Sequence, residues 1–397
     1  MNPSNDKFFL DIYCQQNNHV GELICGDKFL SRRVKEDGRT IVVLSDGMGS
    51  GVKANVLATL TASMALNFTI EQKDLRETAE IIMSTLPICS VRKMSYSTFT
   101  IIDIDDSGNT TIVEYDNPLA IIVRNNRVYD PEWSDIVLES DTTKGKKLRT
   151  CKYKAGKEDR IFFMSDGIIQ SGMGSKANPF GWGLDGVTEY ILKIVKSDQF
   201  ASSSKLSKKV VNMAEMHDGG KSKDDSSCGI IYFREPRKLL FISGPPFDEK
   251  NDTEFSLRVQ KFQGKKIISG GTTAEIISRE LGLKFDIETE TTDPDLPPLS
   301  FVEGFNLVTE GILTLGKVHH LLETFHKDYR FTKGPADQII KLFLESDHIH
   351  MIVGTRINMA HQDPTLPVEL EIRRTVIKRI GRLLEEKFLK EVVIEYI

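Results

Sequence analysis

The sequence predicts two domains. Residues 1–233 are expected to form an α+β domain, with two antiparallel sheets in a sandwich flanked by helices, and residues 239–397 an α/β domain with a parallel or mixed sheet. The chain has 397 residues, which is too long for one ordinary hydrophobic core. Its first half contains short strand patterns around two pairs of helices. After residues 234–238, strands and helices alternate, as they do around a parallel sheet.

The composition is that of a soluble globular protein, with 40% hydrophobic and 27% charged residues. A formal net charge of −5 argues against a general nucleic-acid-binding protein. The five cysteines lack the spacing of a zinc or redox motif, and the first residues lack the pattern of a signal peptide. No apolar stretch is long enough for a membrane span. We therefore expect a cytoplasmic protein that binds no nucleic acid and does not cross a membrane.

The first domain is expected to begin with short strands at residues 8–14, 22–25 and 40–44. The last of these contains four consecutive aliphatic residues, which predict a buried strand that ends at Asp46 and Gly47. A helix over about residues 52–68 follows. Because this helix is apolar on nearly every side, we expect it to be enclosed by other elements.

A second helix is expected to begin at Asp74, which forms a capping box with Glu77, and to stop at Pro87. It carries one apolar stripe, made of Leu75, Ala79, Ile82 and Leu86. This stripe fits either an exchangeable contact or ordinary packing against the core.

The remaining elements of the first domain are predicted by hairpin and helix patterns. Strands are expected at residues 98–104, 110–115, 120–124, 127–129, 160–164 and 228–233, and helices at residues 184–196 and 205–216. The strand over residues 160–164 ends at Ser165-Asp166-Gly167, and Asp224 immediately precedes the last strand.

The second domain is predicted from its alternation of elements. Strands are expected at residues 239–243, 266–269, 306–309 and 349–354, and helices at residues 274–281, up to about 325, and from about 367 to 390.

Four acids of the first domain share a position at strand ends: Asp27, Asp46, Asp166 and Asp224. If the strands are neighbours, these carboxylates meet, repel one another and raise each other's pKa. Two divalent cations would relieve this repulsion. A set of oxygen ligands without histidine or thiolate favours Mg²⁺ or Mn²⁺ over Zn²⁺. A water activated by the two ions could then attack a phosphorus atom in line.

These acids lie in motifs that resemble those of the protein phosphatase 2C superfamily, and most closely its bacterial branch, the stage II sporulation E-type serine phosphatases. The motifs are Gly26-Asp27, Leu44-Ser45-Asp46-Gly47-Met48-Gly49-Ser50-Gly51, Phe163-Met164-Ser165-Asp166-Gly167-Ile168 and Asp224-Asp225-Ser226-Ser227. The resemblance covers roughly residues 8–233. It implies a phosphatase that removes phosphate from serine or threonine of a small regulatory protein of the anti-sigma-factor antagonist type.

The resemblance also implies roles for single residues. Asp46 matches the aspartate that bridges both metals, and Gly47 matches the glycine that lends its carbonyl oxygen. Asp166 and Asp224 match ligands of the first metal, and Asp27 matches an acid near the second. Asp225 is expected to orient its neighbours rather than to bind a metal. Regulation through the two helices after Asp46, often with homodimerisation, is implied as well.

Two positions depart from the eukaryotic pattern. Met48 stands where that branch has a histidine acid, and Glu22 lies near where it has a phosphate-binding arginine. The proton donor is therefore left unassigned. Lys53, Lys221 or Lys223 could contact the phosphate, although each also fits the pattern of a solvated lysine.

The second domain has a candidate ligand site at Gly270, Gly271, Thr272 and Thr273, where a helix begins after a strand. Helix N-termini and hydroxyl groups suit a phosphate or a carboxylate, although glycines for a tight turn and threonines for capping account equally well for the same residues. His348, His350 and His361 are expected to be structural, and Arg373 and Arg374 are expected on the solvated face of the last helix.

Two functions follow from these patterns. The first is a phosphoprotein phosphatase that uses two divalent cations, with residues 239–397 as a sensor or partner-binding domain. The alternative is a regulatory switch with weak or no catalysis, whose C-terminal domain binds a phosphorylated or acidic small molecule.

Overall fold

The structure is a computed structural model that describes residues 8–34, 36–85, 97–141, 143–287, 293, 295–326, 329–356, 366–388 and 390–397. The chain divides into two compact units, Met1–Glu235 and Pro236–Ile397. Leu86, Pro87, Cys89 and His361, which the sequence analysis considers, lie outside the described residues.

The first unit contains two antiparallel sheets. The five-stranded sheet consists, in spatial order, of β1 (Phe9–Asn17), β11 (Ser226–Arg234), β10 (Arg160–Met164), β6 (Ile121–Arg124) and β7 (Arg127–Tyr129). The six-stranded sheet consists of β2 (Lys28–Val34), β3 (Arg39–Gly47), β4 (Ser97–Asp105), β5 (Asn109–Tyr115), β9 (Lys147–Lys154) and β8 (Ser134–Val137). The helices of this unit are α1 (Gly51–Ile70), α2 (Leu75–Thr85), the short α3 (Asp166–Ile169), α4 (Gly183–Ser197) and α5 (Ser203–His217).

Three hydrophobic clusters give this unit its four layers. One cluster joins the two sheets and includes Leu44 and Phe163. A second packs α1 and α2 on the six-stranded sheet, and a third packs α4 and α5 on the five-stranded sheet. The predicted sandwich flanked by helices is therefore confirmed.

The strand predicted at residues 22–25 is wrong. These residues form bends whose backbone groups bond outside any sheet, since the Glu22 N–H donates to His19 O and the Asn55 side chain donates to Cys25 O. Asp27 therefore precedes β2 instead of ending a strand. Asp46 lies within β3, opposite Thr98 of β4, because this strand continues to Gly47. The sequence analysis also missed β8 and β9.

The first long helix, α1, is not enclosed as predicted. Its alanines form the buried face, but Val52 is 64% and Val56 59% exposed, and Leu60 is also exposed. A helix with few charges can bury only the face that meets the sheet, and small alanines let that face approach closely. At α2, the Asp74 carboxylate accepts hydrogen bonds from the N–H groups of Arg76 and Glu77, as a capping aspartate should.

The second unit has a mixed seven-stranded sheet with helices on both faces. Its strands, in spatial order, are β14 (Phe285–Ile287), β15 (Ser300–Val302), β16 (Leu307–Thr309), β13 (Lys265–Ser269), β12 (Lys238–Ser243), β17 (His348–Val353) and β18 (Glu391–Tyr396). The helices are α6 (Asp252–Lys261), α7 (Gly271–Leu281), α8 (Ile312–Thr324), α9 (Pro335–Glu345) and α10 (Leu366–Glu386). The strands from β16 to β18 are parallel, and β15 is antiparallel to both of its neighbours. The predicted α/β class is confirmed, whereas the helices α6 and α9 and the strands β14, β15 and β18 were not predicted.

Among the described residues, no helix is both long and apolar enough to cross a membrane.

Glu114 of β5 gives the first unit a pH-dependent stability. Its carboxyl group is buried, with one oxygen accepting the Ala120 N–H at 2.8 Å and the other without a hydrogen-bond partner. Burial raises its pKa from 4.5 to about 8. Because the native state keeps this proton after the unfolded chain has lost it, the free energy of unfolding falls as pH rises from about 4.5 to about 8.

The variant Glu114→Gln is therefore expected to melt at a higher temperature than the wild type, with the largest difference near pH 8 and little difference below pH 4.5. Thermal unfolding across this pH range, in a chelator, measures the effect. The exposed Glu189 supplies the control, Glu189→Gln, which should follow the wild-type curve. If the melting temperatures of Glu114→Gln and the wild type changed with pH in the same way, the raised pKa of Glu114 would be contradicted.

Candidate metal centre and active site

The two sheets of the first unit bring two acids into contact. Asp46 comes from β3 of the six-stranded sheet, and Asp166 begins α3 just after β10 of the five-stranded sheet. Their carboxyl groups are close enough for a hydrogen bond between them. Asp166 is also oriented by Gln170, whose side-chain amide donates to it at 2.7 Å. Gln170 lies one helical turn after Asp166, and sequence reasoning missed it.

The electrostatics of this site reflect crowded carboxylates. Burial, followed by the charges of Asp27 and Asp166, raises the pKa of Asp46 well above its usual value. Burial raises the pKa of Asp27 to about 7 and that of Asp224 to about 6, and neighbouring acids add to both shifts. The four acids that the sequence analysis selected thus lie within range of one another's charges, and their role as a common metal site stays a prediction.

The oxygen donors of these acids are of the type that hard divalent cations prefer. In the described part of the chain, none of these acids forms a salt bridge with lysine, arginine or histidine. Asp27 Oδ1 and Asp225 Oδ2 are buried without a hydrogen-bond partner. No group of three or more His, Cys, Asp or Glu side chains that could hold a metal ion is found among the described residues. Pairs of carboxylates nevertheless suit Mg²⁺, which commonly uses one or two of them and retains water.

Asp27 is held by two serines. Its Oδ2 accepts hydrogen bonds from the hydroxyls of Ser165 at 2.7 Å and Ser227 at 2.6 Å, and the Ser227 N–H donates to the Ser165 hydroxyl. These contacts connect the start of β2 with β10 and β11 across the two sheets. The sequence analysis quoted both serines in its motifs but gave them no role. Their only signal was nearness to an acid, since Ser165 directly precedes Asp166 and Ser227 lies two residues after Asp225.

Asp225 orients the segment that carries Asp27. Its Oδ1 accepts the backbone N–H of His19 at 3.0 Å, and its Oδ2 lies only 2.6 Å from where a Cβ on Gly26 would be. The turn before β2 is therefore tied to the start of β11. His19 lies near Asp224 and lowers its pKa slightly against the larger effect of burial. Sequence reasoning missed His19.

The glycines after Asp46 and Asp166 are required by close packing. A Cβ on Gly47 would lie 2.1 Å from the Ala54 carbonyl oxygen of α1. A Cβ on Gly167 would lie 2.2 Å from the Asp225 carbonyl oxygen. Both contacts are far shorter than any side chain tolerates, so each Asp-Gly pair lets a neighbouring backbone approach the site.

The N-terminus of α1 already has an anionic neighbour. The Glu22 carboxylate accepts a hydrogen bond from the Ser50 hydroxyl at 3.4 Å, and it lies 2.3 Å from where a Cβ on Gly51 would be. Glu22 thus stands where a phosphate would bind to a helix N-terminus. Lys53, Lys221 and Lys223 are exposed, and the Lys223 side chain donates to Met173 O at 3.4 Å.

A family model described as stage II sporulation protein E matches residues 36–234. The chain belongs to this family. The match includes Asp46, Asp166 and Asp224 and begins after Asp27. The protein is accordingly a phosphoprotein phosphatase of the metal-dependent serine/threonine class with a protein phosphatase 2C-like fold, and the predicted family is confirmed.

Several solved structures are similar to this stage II sporulation protein E-type chain. The phosphatase domain of the cell fate determinant SpoIIE from Bacillus subtilis is 14% identical, with 58% of this chain and 94% of that chain covered and a TM-score of 0.43. RsbX in complex with magnesium is 18% identical, with 57% and 96% covered and a TM-score of 0.40. The serine/threonine phosphatase PstP/Ppp of Mycobacterium tuberculosis is 11% identical, with 57% and 99% covered and a TM-score of 0.38. No curated protein matches the chain. The family assignment rests on the family-model match.

Proposed function

We propose that residues 1–233 form a phosphatase domain that hydrolyses phosphoserine or phosphothreonine on a regulatory protein of the anti-sigma-factor antagonist type, by dimetal-activated water. The observation that carries this proposal is the contact between the Asp46 and Asp166 carboxyl groups, without a salt bridge to either among the described residues. Buried carboxylates repel one another strongly, and a divalent cation is the simplest partner that removes this cost. Residues 239–397 are proposed to form a sensor or partner-binding domain.

The proposed ligands of two Mn²⁺ or Mg²⁺ ions are Asp27, Asp46, Asp166, Asp224 and the carbonyl oxygen of Gly47. When bound, such ions lower the pKa of a water molecule and neutralise charge on the phosphoryl oxygens. The protein itself positions the carboxylates. Ser165 and Ser227 hold Asp27, and Gln170 holds Asp166, so both carboxylates have fixed positions before a cation arrives.

Removal of the cations tests this function. We expect the full chain to release phosphate from a phosphoserine peptide with Mn²⁺ or Mg²⁺, to lose this activity in a chelator, and to regain it when Mn²⁺ is restored. The measurement is phosphate release, with the same peptide lacking phosphate as the blank. Hydrolysis that survives chelation would contradict the metal-dependent mechanism. Metal binding without any hydrolysis would favour the alternative, a regulatory switch with weak or no catalysis.

Homodimerisation through the helices after Asp46, which the family resemblance implies, stays a prediction. The exposed valines of α1, Val52 and Val56, support a contact with another molecule at this face. Sedimentation of the full chain at several concentrations measures the oligomeric state.

A further inference from the structure

The ligand site that the sequence predicts in the second unit is crowded by internal contacts. The Gly270 N–H donates to Thr309 O at 2.7 Å. A Cβ on Gly271 would lie 2.8 Å from the Glu310 carboxylate, and an acid at the N-terminus of α7 disfavours a second anion there. A ligand at Gly270, Gly271, Thr272 and Thr273 therefore stays a prediction.

Arg373 of the second unit points toward the end of β12 rather than into solvent. A Cβ on Gly244, a buried residue that follows β12, would lie 2.9 Å from a guanidinium nitrogen of Arg373. The prediction that Arg373 lies on the solvated face of α10 is therefore wrong.

In the first unit, a loop beside the candidate metal centre carries exposed apolar side chains. It comprises residues 170–182, between α3 and α4, and is named the 170–182 loop. Its first side chain, Gln170, donates to Asp166 at 2.7 Å. Phe180 is 91% exposed and Met173 is 47% exposed. Apolar surface and a proposed metal ligand therefore belong to one short stretch of chain.

The end of this loop folds back onto its beginning. A Cβ on Gly181 would lie 2.7 Å from Ile169 O and 2.9 Å from the Cα of Gln170. Gly181 has a φ of 89°, a left-handed conformation that glycine adopts without strain. Phe180, the residue before it, is therefore held beside the residue that orients Asp166.

Met173 and Phe180 start from adjoining backbone positions. The Gly174 N–H donates to Pro179 O at 3.2 Å, and these two residues are the chain neighbours of Met173 and Phe180. Apolar side chains that are exposed together, rather than singly, favour a contact with another molecule.

Hydrogen bonds fix the loop against the segment that leads to Asp224. Asp218, which follows α5, accepts the N–H groups of Gly172 at 2.8 Å and of Lys223 at 3.1 Å. The Lys223 side chain donates in turn to Met173 O at 3.4 Å. The apolar side chains therefore stand on an anchored backbone, so a partner that binds them has little loop order to impose.

The surface around these side chains is basic. The 170–182 loop contains Lys176 but neither aspartate nor glutamate, and Lys221 and Lys223 lie in the segment between α5 and Asp224. All three lysines are exposed. The acid of that segment, Asp218, already accepts two backbone N–H groups. Such a surface is complementary to an acidic partner.

We propose that the 170–182 loop recognises the part of the phosphoprotein substrate that flanks its phosphorylated residue, and that this part carries an apolar and an acidic side chain. The inference rests on the proposed function. Phe180 and Met173 contact the apolar side chain, and Lys176 and Lys221 attract the acidic one.

The position of the loop favours the substrate over a second copy of this chain. An extended chain advances about 3.3 Å per residue, so side chains two to four positions from the phosphorylated residue reach a loop that begins next to Asp166. A second copy seated on the same loop would instead obstruct access to the centre.

Two phosphopeptides test the proposal on the full chain with Mn²⁺. Both contain the same phosphoserine, which is flanked by leucine and glutamate in the first peptide and by alanine and lysine in the second. We expect the wild type to have a kcat/KM about tenfold higher for the first peptide, mainly through a lower KM. Phe180→Ala and Lys221→Gln should each reduce this preference. Phe180→Ala should also lower kcat/KM for the first peptide about tenfold more than for an aryl phosphate, which is too small to reach the loop.

The control for Phe180→Ala is Phe200→Ala. Phe200 is also exposed, but it precedes α5, whereas the loop is bonded to Asp218 at the other end of this helix. A helix of 15 residues is about 22 Å long, so Phe200 is remote from the loop. Phe200→Ala should keep the wild-type preference.

Three results would overturn the proposal: equal kcat/KM of the wild type for the two peptides, equal losses in Phe180→Ala and Phe200→Ala, or a wild-type dimer that Phe180→Ala converts to a monomer in sedimentation. If the wild type hydrolyses neither the peptides nor the aryl phosphate, the proposed function has failed. Fluorescence anisotropy of the labelled first peptide then decides about the loop, since Phe180→Ala should weaken its binding and Phe200→Ala should not.

Discussion

Replacing Asp46 with asparagine is expected to lower Mn²⁺-dependent hydrolysis of a phosphoserine peptide by about 100-fold or more. Groups that merely support a metal ligand already cost about 10- to 100-fold when removed, and Asp46 is proposed to bind both ions. Asparagine keeps the shape of the side chain in β3, so the fold should be retained. The measurement is the rate of phosphate release at saturating Mn²⁺.

The same variant should be more stable than the wild type when no metal is present. Asp46 lies against Asp166, and its pKa is raised by burial and by the charges of Asp27 and Asp166. The neutral amide removes one of these mutually repelling groups. We therefore expect a higher melting temperature for Asp46→Asn in a chelator, and a smaller rise in melting temperature than the wild type shows when Mn²⁺ is added.

The matched control is Asp135→Asn, since Asp135 is an exposed acid of β8 that pairs with Lys147. This variant should retain wild-type activity and respond to Mn²⁺ as the wild type does. Full activity of Asp46→Asn would contradict the proposed catalytic role of this aspartate. If Asp46→Asn melted at a lower temperature than the wild type in a chelator, the charge of Asp46 would not be a source of repulsion.

Replacing Gly47 with alanine is expected to damage both stability and activity. The new methyl group would lie 2.1 Å from Ala54 O, and this neighbour is backbone that cannot move without displacing the first turns of α1. Overpacking of this kind costs about 1–3 kcal/mol. The displacement also moves the strand end that carries Asp46, and a shift of about 1 Å at a catalytic group can cost about 100-fold in rate. Thermal unfolding and phosphate release measure the two effects.

Gly316 supplies the control for this prediction. It lies on the exposed side of α8, and a Cβ there would have no heavy atom within 4 Å. The variant Gly316→Ala should be about 0.5–1 kcal/mol more stable, as expected inside a helix, and fully active. If Gly47→Ala were as stable and active as Gly316→Ala, the close approach of α1 to β3 would not exist.

Local sequence patterns were enough to predict many helices and strands and to select the acids as candidates. The strand over residues 160–164 was predicted with the same bounds as β10, because a run of apolar residues ended by Ser165-Asp166-Gly167 is read without knowledge of its neighbours. Asp46, Asp166 and Asp224 were chosen in the same way. Their convergence was predicted on the condition that their strands were neighbours. The strands instead lie in two different sheets, which a shared hydrophobic cluster joins.

Other features depend on partners far away in the chain, and no local pattern contains them. The serines that hold Asp27 lie 138 and 200 residues from it. The exposed valines of α1 and the inward position of Arg373 follow from which side of each helix meets a sheet. The sequence alone was therefore sufficient for the family and the fold class, since these arise from short motifs and periodicity. Only the tertiary structure decided which side chains hold Asp27, because this depends on the order in which distant strands pair.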